Sequence, residues 1–374
     1  MQTNLKKLDQ LVSLRGLAAW VVVFYHSVVL LQIALPQLPR NLVIFIAQGY
    51  LAVDFFFVLS GFIIFINYHS NFRSDIRHNA LKFYWNRISR IYPVHLVMLV
   101  AYLLLTLAFL HFSSSKTIPS GYTVESFLQS LILIHAWTGD PTWWNVPSWS
   151  ISAEWFVYLF FPFIAILFHR FISGLSAHFI LATAISIALY SAYFLKGYDS
   201  LGTAAFSMAL VRVFLEFLLG SVVGSLFVNH RKFLSQSRAA VGAIVLLMCA
   251  ALPFIDAPNY AVIPFLCFAM VWFLSVDTSP VSKILSNKLL VYLGEISYST
   301  YMVHYFVYDL FKAGWVNNSG SVDPIKLLAS FLAVLLLSML MHRAIEVPAQ
   351  RYLRIGLLGH FNSKPDFRAR RQVD

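Results

Sequence analysis

The segment LVSLRGLAAWVVVFYHSVVLL, residues 11–31, decides the fold class because it is long and apolar enough to span a bilayer. A transmembrane helix needs about 20 predominantly apolar residues. This segment nevertheless carries Arg15 near one end and His26 well inside it. Ionisable side chains at membrane depth are costly and usually face the interior of a helical bundle. We therefore predict that Arg15 and His26 belong to one site that faces away from the lipid.

The composition of the whole chain fits a membrane protein. Of the 374 residues, 59% are hydrophobic and 11% are charged, and the mean hydropathy is +0.72. Soluble domains carry about 25% charged residues, so the composition excludes a large soluble enzyme. We predict an all-α, polytopic integral membrane protein with about ten transmembrane helices around a central polar cavity.

The apolar segments define one membrane domain, residues 1–358, followed by a basic and disordered cytoplasmic tail, residues 359–374. The segment 127–137 (FLQSLILIHAW) is too short to cross comfortably, so we predict a re-entrant or interfacial piece on the outer side. The ten predicted spans are 11–35, 42–67, 93–112, 148–168, 178–195, 204–228, 239–255, 260–276, 293–312 and 325–346.

The net charge of +11 is mainly a topology signal. Of the 27 Lys and Arg residues, 19 fall at the N-terminus, in alternate loops or in the C-terminal tail, whereas the intervening loops hold five. Cytoplasmic loops carry an excess of Lys and Arg, so this alternation predicts that both termini are cytoplasmic. We expect no nucleic-acid partner.

The spacing of Arg15 and His26 sharpens the hypothesis of a shared site. The two residues are 11 positions apart, which is close to three helical turns, so they project from nearly the same face. Their separation along the helix is about 16 Å at ~1.5 Å per residue. The structural alternative is that Arg15 reaches the headgroups and that His26 makes one hydrogen bond in helix packing.

The second span, GYLAVDFFFVLSGFIIF (49–65), contains a lone carboxylate, Asp54. A buried carboxylate needs a cationic or hydrogen-bonding partner, and we predict that Asp54 orients His26 or Arg15. Ser60 and Gly61 offer a small face, for which close helix approach is the favoured interpretation.

The stretch NRISRIYP (86–93) places Arg87 and Arg90 at i,i+3, on one helical face. Two neighbouring guanidinium groups suit phosphate recognition through bidentate hydrogen bonds. Anchoring at the cytoplasmic surface is the alternative.

In VPSWSISAEWFVYLFFP (146–162), Ser150, Glu154 and Tyr158 repeat at i,i+4,i+8 and form a polar stripe. Glu154 is a second candidate catalytic carboxylate, with a structural ion pair to Arg212 as the alternative. We predict that Trp149, Ser150 and Tyr158 bind the substrate.

Two later clusters favour architecture over chemistry. One is LGEISYSTYMVHYF (293–306), and the other is HRAIEVPAQRY (342–352), where Arg343 and Glu346 can pair on one helical turn. The polar residues of the first cluster are Glu295, Ser297, Tyr298, Tyr301 and His304.

Taken together, five stretches in this order resemble the membrane-bound acyltransferase family 3, the bacterial group that includes O-antigen and exopolysaccharide acetylases. They are SLRGLAAWVVVFYH, GYLAVDFFFVLSGF, RISRIYP, SWSISAEWFVYLFFP and LGEISYSTYMVHYF. The resemblance implies a ten-helix domain that transfers an acyl group, commonly acetyl from acetyl-CoA, to a carbohydrate hydroxyl. Many relatives carry a fused extracytoplasmic esterase-like domain. We expect none in this protein, and we therefore expect the membrane domain to transfer the group itself or to pass it to a separate protein. The site positions implied are Arg15, His26, Asp54, Arg87, Arg90 and Glu154.

These expectations combine into a mechanism. Arg87, Arg90 and Arg15 hold the nucleotide phosphates of acyl-CoA, and a tunnel leads the thioester to His26, the general base. Asp54 or Glu154 fixes the imidazole tautomer, and direct transfer and an acyl-histidine intermediate both remain open.

The expected partners are acetyl-CoA as co-substrate, membrane lipids and a carbohydrate acceptor in a surface polysaccharide, lipopolysaccharide or lipid-linked glycan. We expect no metal and a location in the bacterial inner membrane. A transporter or flippase is the alternative, although the paired repeats and interrupted helices of many transporters are not found in the sequence.

Overall fold

A computed structural model describes residues 8–112, 121–139, 144–203, 205–252, 257–316 and 321–362, with side chains to residue 355. All regular structure within these ranges is helical, which confirms the all-α class. The helices are α1 (Asp9–His26), α2 (Val28–Ala34), α3 (Arg40–Ala47), α4 (Ala52–Tyr68), α5 (Ile76–Phe112), α6 (Val124–Leu131), α7 (Ser148–Phe171), α8 (Leu175–Leu195), α9 (Ala209–Asn229), α10 (Arg231–Ala251), α11 (Asn259–Val276), α12 (Pro280–Leu285), α13 (Lys288–Glu295), α14 (Ser297–Trp315), α15 (Pro324–Met341) and α16 (Val347–Asn362).

The described helices confirm a multi-pass membrane protein. Eight helical stretches are long and apolar enough to cross a bilayer, and α1 with α2 makes a ninth if this bent pair is one span. The one predicted span that is missing from these, 293–312, corresponds to α14, which has 19 residues but carries Asp309 and Lys312. The number ten therefore stays a prediction.

The first span differs from its predicted form. Instead of one helix over 11–35, α1 ends at His26 and α2 begins at Val28, with a bend of 63° between them. The hydroxyl of Ser27 donates to the Val23 carbonyl oxygen at 3.0 Å, and such bonds to the preceding turn often bend helices. The bend leaves His26 at the end of a helix.

The segment 127–137 is not a crossing, as predicted. Helix α6 has eight residues, which at 1.5 Å per residue is about 12 Å. The chain then leaves the helix through Leu133, whose φ is 59°. Its placement on the outer side stays a prediction. Of the predicted tail, residues 363–374 lie outside the described residues, and α16 extends to Asn362.

Glycines bring the central helices into backbone contact. A Cβ on Gly61 of α4 would lie 2.0 Å from the Phe217 carbonyl oxygen, and one on Gly220 of α9 would lie 1.8 Å from that of Val58. Both distances are impossible for real atoms, so only glycine fits. The predicted close approach at Gly61 is confirmed.

A second glycine contact joins α1 to α13. A Cβ on Gly294 would lie 1.9 Å from the Val12 carbonyl oxygen, and one on Gly16 would lie 2.6 Å from the Gly294 backbone nitrogen. This contact fixes the position of Arg15, the neighbour of Gly16, against the junction of α13 and α14.

Candidate active site

A cavity of about 160 Å³ lies among α1, α4, α5, α7 and α14. Apolar side chains form most of its wall, and three guanidinium groups and one carboxylate give it charge. The charged residues lining it are Arg15, Arg87, Arg90 and Glu154. The structure thus brings together four of the six predicted site residues, which come from three separate helices.

Arg15 is bound to the protein rather than directed at headgroups. Its Nε donates to Ser297 Oγ at 2.9 Å, and its guanidinium also donates to the Gly294 carbonyl oxygen at 2.7 Å. The predicted alternative, in which Arg15 reaches the headgroups, is wrong. The partners hold the guanidinium at the wall of the cavity.

Arg87 lies between two tyrosine rings. Its guanidinium carbon is 5.1 Å from the centre of the Tyr68 ring and 6.0 Å from that of Tyr158. One terminal nitrogen donates to the Tyr68 hydroxyl at 3.1 Å, whereas Nε is buried without a partner among the described residues. Arg87 therefore keeps a free donor.

Arg90 pairs with Glu346, the carboxylate for which the sequence predicts a pair with Arg343. Arg90 donates to Glu346, which is fully buried and also accepts from Ser299 Oγ at 2.7 Å. The predicted pair of Arg343 and Glu346 is wrong: the Arg343 guanidinium lies 5.9 Å from the centre of the Tyr292 ring. Residues 342–346 form a π-helical turn, a feature frequent at functional sites, and this turn directs Glu346 inward.

Glu154 is the one acidic residue among the described residues that line the cavity. Its carboxylate interacts with the hydroxyls of Ser60 and Tyr158 and electrostatically with Arg87 and Arg15. The ion pair with Arg212 is therefore wrong. Ser60 is more than a packing residue, since its hydroxyl lies 3.3 Å from that of Tyr158 at the cavity wall.

Asp54 does not contact Arg15 or His26, and that prediction is wrong. Both of its oxygens accept from Arg212, each at 2.7 Å, and both side chains are buried away from the cavity. The Arg212 guanidinium offers two parallel N–H donors to the two carboxylate oxygens, whereas an imidazole can offer only one.

Glu216, one turn after Arg212, is also fully buried beside this pair. Trp149 lies on the same side, with the Arg212 guanidinium 5.9 Å from the centre of its ring. Of the three predicted substrate-binding residues, Ser150 and Tyr158 line the cavity and Trp149 does not.

His26 forms a pair with His304, a residue for which the sequence favoured a structural role. His26 Nδ1 lies 3.3 Å from His304 Nε2 and 3.1 Å from the Val22 carbonyl oxygen. His304 Nδ1 lies 3.3 Å from the Thr300 carbonyl oxygen. Neither histidine lines the cavity in the described part of the chain.

Tyr301 links the cavity to the histidine pair. It lines the cavity, its hydroxyl lies 2.9 Å from Ser150 Oγ, and its ring centre is 5.8 Å from that of His304. The predicted continuous tunnel from the arginines to His26 is therefore interrupted at Tyr301.

Three polar residues of α14 that the sequence favoured as structural lie at the site and share one helical face. Ser297, Tyr301 and His304 are spaced at i,i+4,i+7 on α14, so they share one face of that helix. This periodicity was a usable signal for a polar face. Nothing in the sequence could have paired Glu346 with Arg90, since they are 256 positions apart.

Among the described residues, no group of three or more His, Cys, Asp or Glu side chains is arranged to bind a metal ion. The absence of a metal stays a prediction.

Comparisons with known proteins point to one family. The sequence model of a family described as "Acyltransferase domain" matches residues 8–343. The chain is 26% identical to Acyltransferase MdmB of Streptomyces mycarofaciens over 94% of both chains. It is 27% identical to Putative acetyltransferase ORF330 of Acidianus two-tailed virus, over 80% of this chain and 83% of that one.

A third relative is longer than this chain. The chain is 23% identical to O-acetyltransferase OatA of Staphylococcus aureus over 82% of its own length, and the match spans 53% of that relative. No solved structure matches the chain.

Proposed function

Since the chain belongs to the acyltransferase family whose model matches residues 8–343, we propose that this membrane acyltransferase moves an acyl group from cytoplasmic acyl-CoA to a carbohydrate hydroxyl. Acetyl is the proposed group, and a surface polysaccharide, lipopolysaccharide or lipid-linked glycan is the proposed acceptor. The observation that carries the proposal is the cavity, where three arginines meet and whose wall at Tyr301 adjoins the His26–His304 pair.

The donor site lies at the arginines. Phosphate groups form strong charge-assisted hydrogen bonds with guanidinium groups, and Arg87 lines the cavity with a buried Nε that has no partner among the described residues. Arg15 and Arg90 keep part of their positive charge for the ligand, although Glu346 and Glu154 balance some of it. Because carboxylates partly neutralise the arginine charges, the donor binds less tightly than to free arginines and can leave after the reaction.

Glu154 stays a catalytic candidate in this proposal because it is the acidic residue of the described cavity wall. It accepts from Ser60 and Tyr158 and so orders the wall along which the donor arm lies. Asp54 takes a structural role instead, since Arg212 satisfies it.

His26 is the general base, and His304 positions it. We assign the His304 proton to Nδ1, where it is donated to the Thr300 carbonyl. His304 Nε2 then accepts from Nδ1–H of His26, which leaves the lone pair of His26 Nε2 for the acceptor hydroxyl. A base oriented by a third group is the general arrangement for activating hydroxyl nucleophiles.

The transfer step then balances without another reactant. His26 Nε2 takes the proton of the sugar hydroxyl while the oxygen attacks the thioester carbonyl, and the C–S bond breaks. The departing thiolate receives that proton, so that free CoA and an O-acyl ester are formed. Because Tyr301 interrupts the path to His26, its side chain must turn aside for the thioester to reach the imidazole, and its hydroxyl can then donate to the developing oxyanion.

The proposed orientation puts the arginine end of the site in the cytoplasm and the His26 end on the outer side of the bacterial inner membrane. The alternation of basic loops supports this assignment and favours cytoplasmic termini. Acyl-CoA then enters from the side where it is made, and the glycan from the side where it is assembled. The tail, residues 359–374, is proposed to lie near anionic headgroups.

The test uses purified full-length protein in detergent with acetyl-CoA labelled in its acetyl group. The acceptor is the surface glycan extracted from cells that lack the gene, so that it carries no product. We expect label in the glycan together with one free thiol per transferred acetyl group. His26→Ala should abolish both while the protein remains monodisperse. Glycan uptake by proteoliposomes without thiol release would contradict the proposal and favour a transporter.

A further inference from the structure

Tyrosine rings surround His26 on the side away from the cavity. The Tyr305 ring meets the imidazole edge-on with 5.1 Å between ring centres, and the Tyr25 ring lies 4.8 Å away. Tyr308 continues the group, with its ring 5.5 Å from that of Tyr305, and Tyr50 lies 5.6 Å from Tyr25. We call Tyr25, Tyr50, Tyr305 and Tyr308 the tyrosine cluster.

A carboxylate borders the tyrosine cluster. Asp309 follows Tyr308 on α14, and its Oδ2 accepts from the Tyr102 hydroxyl of α5 at 3.2 Å. It interacts electrostatically with Tyr305 and Tyr308. Its second oxygen makes no hydrogen bond within the described ranges, so Asp309 retains capacity to accept from a ligand.

The members of the tyrosine cluster are half-buried, as is Asp309. The hydroxyls of Tyr25, Tyr305 and Tyr308 make no hydrogen bond to any residue that the structure describes. Tyrosines also form belts at membrane interfaces, but belt residues need no contact with each other or with an active site. Here the rings contact each other in two pairs, a carboxylate borders them, and one ring of each pair contacts the imidazole that acts as base.

We propose that the tyrosine cluster with Asp309 is the acceptor site, and that it binds a hydroxylated ring such as a sugar residue. This proposal rests on the proposed function, because it takes His26 as the base. The site replaces the predicted one at Trp149, Ser150 and Tyr158, which lie at the cavity or beside Arg212.

The chemistry of the lining selects this class of acceptor. Tyrosine offers an apolar ring face and a polar tip, which match the two faces of a pyranose ring: its C–H groups and its hydroxyls. An aliphatic alcohol would displace water from the hydroxyls of Tyr25, Tyr305 and Tyr308 and from the second Asp309 oxygen without replacing those hydrogen bonds, which is unfavourable. One sugar hydroxyl then lies at His26 Nε2, and the others are bound by the cluster.

The acceptor site also explains the bend after His26. Because α1 ends there and α2 departs at 63°, the imidazole is not covered by a further turn of its own helix. Donor and acceptor thus approach His26 from opposite ends, the donor past Tyr301 and the acceptor past Tyr305. Neither has to pass through the other's binding site.

The experiment measures the KM for each substrate separately in the labelled-transfer assay, with unacetylated glycan from the gene-deleted cells in hexose equivalents. Asp309→Asn and Tyr305→Leu should each raise the KM for glycan on the order of tenfold, from loss of a charged hydrogen bond or of a stacking face. The KM for acetyl-CoA should stay within about twofold, because the donor contacts are unchanged. Tyr308→Phe removes only one hydroxyl of the tyrosine cluster and should also raise the KM for glycan. It serves as the test if Tyr305→Leu does not fold.

Tyr190→Leu is the matched control. Tyr190 is an exposed tyrosine of α8 that stacks on Phe194 and lies outside the tyrosine cluster, so both KM values should match those of the unmodified protein. An altered KM for acetyl-CoA, or a fall in kcat with an unchanged KM for glycan, would overturn the acceptor site. Absence of transfer by the unmodified protein would instead refute the proposed function.

Discussion

Among the described residues, the arginine–carboxylate pairs Arg212–Asp54 and Arg90–Glu346 differ in access. Arg212 and Asp54 are 1% and 0% exposed and pair through two bonds of 2.7 Å. Arg90, the partner of the fully buried Glu346, is 24% exposed and lines the cavity. The enclosed pair fastens helices α4 and α9 together, whereas the accessible pair, in the proposed function, presents a cation to the donor.

Charge at membrane depth does not by itself identify a functional site. Polar residues in transmembrane helices are functional candidates by default, and Asp54 met that criterion as well as Arg15 did. An enclosed structural pair differs from a site in whether its donors and acceptors are all bound within the protein. Each side-chain nitrogen of Arg212 donates to Asp54 or to the Leu201 carbonyl oxygen, whereas Nε of Arg87 has no partner among the described residues.

The largest effect should come from breaking the enclosed pair. Arg212→Met leaves the Asp54 carboxylate buried without a partner, which typically costs about 3–5 kcal/mol. We expect loss of most folded protein, measured as the yield of monodisperse protein in detergent and as the midpoint of thermal unfolding. Arg343→Met is the control, since this arginine is exposed, lies over the Tyr292 ring and does not line the cavity in the described part of the chain. Normal folding combined with weaker acetyl-CoA binding would show that Arg212 belongs to the donor site.

A smaller effect, on rate instead of folding, should follow from changing His304. It is as enclosed as Arg212 but lies against His26. His304→Leu removes the group that orients the base, so kcat should fall on the order of 10- to 100-fold, a part of the usual contribution of acid–base catalysis. The KM for acetyl-CoA should not change.

The conservative variant distinguishes positioning from packing at His304. His304→Gln keeps an acceptor near the position of Nε2 and should restore a substantial part of the lost kcat. Equal loss in both variants, with a lower unfolding midpoint, would show that His304 acts through packing.

Arg87→Gln tests the accessible side of the comparison. The variant loses a charged donor to phosphate, and we expect the KM for acetyl-CoA to rise on the order of tenfold. Acetyl-pantetheine lacks the nucleotide phosphates, so its KM should be the same in variant and unmodified protein. Arg170→Gln, at an exposed arginine of α7, serves as the control. An equal rise for both donors would place the phosphates elsewhere.

Features that depend on residues close together in the sequence could be predicted from it, whereas contacts between distant residues could not. The helical class, the shared face of Arg87 and Arg90, and the polar stripe of Ser150, Glu154 and Tyr158 depend on spacing within one helix. The structure places all five of these residues at the cavity. Trp149, which was also predicted to bind the substrate, lies on the same helix as the stripe but on a different face. Local periodicity therefore predicted which side chains point inward.

The pairings could not be predicted, because they depend on which helices become neighbours. Asp54 and Arg212 are 158 positions apart, and several cations were equally available to Asp54 in the sequence. Backbone contact at Gly61 and Gly220 decides the matter by pressing α4 onto α9. The bend after His26 was missed for a related reason, since Ser27 interrupts an apolar run without breaking its composition.

The smallest effect should come from two tyrosine hydroxyls, one in each region. Tyr158→Phe removes a hydroxyl that interacts with Ser60 and Glu154 at the cavity, so the KM for acetyl-CoA should rise about two- to fivefold, equivalent to roughly 0.5–1 kcal/mol. Tyr193→Phe removes a buried hydroxyl beside Arg212 that has no hydrogen-bond partner among the described residues. Removing an unsatisfied buried group should leave activity unchanged and the unfolding midpoint equal or slightly higher. Because both substitutions delete the same atom, the reverse result, with Tyr193 affecting the donor and Tyr158 affecting only folding, would mean that the two regions have been assigned the wrong roles.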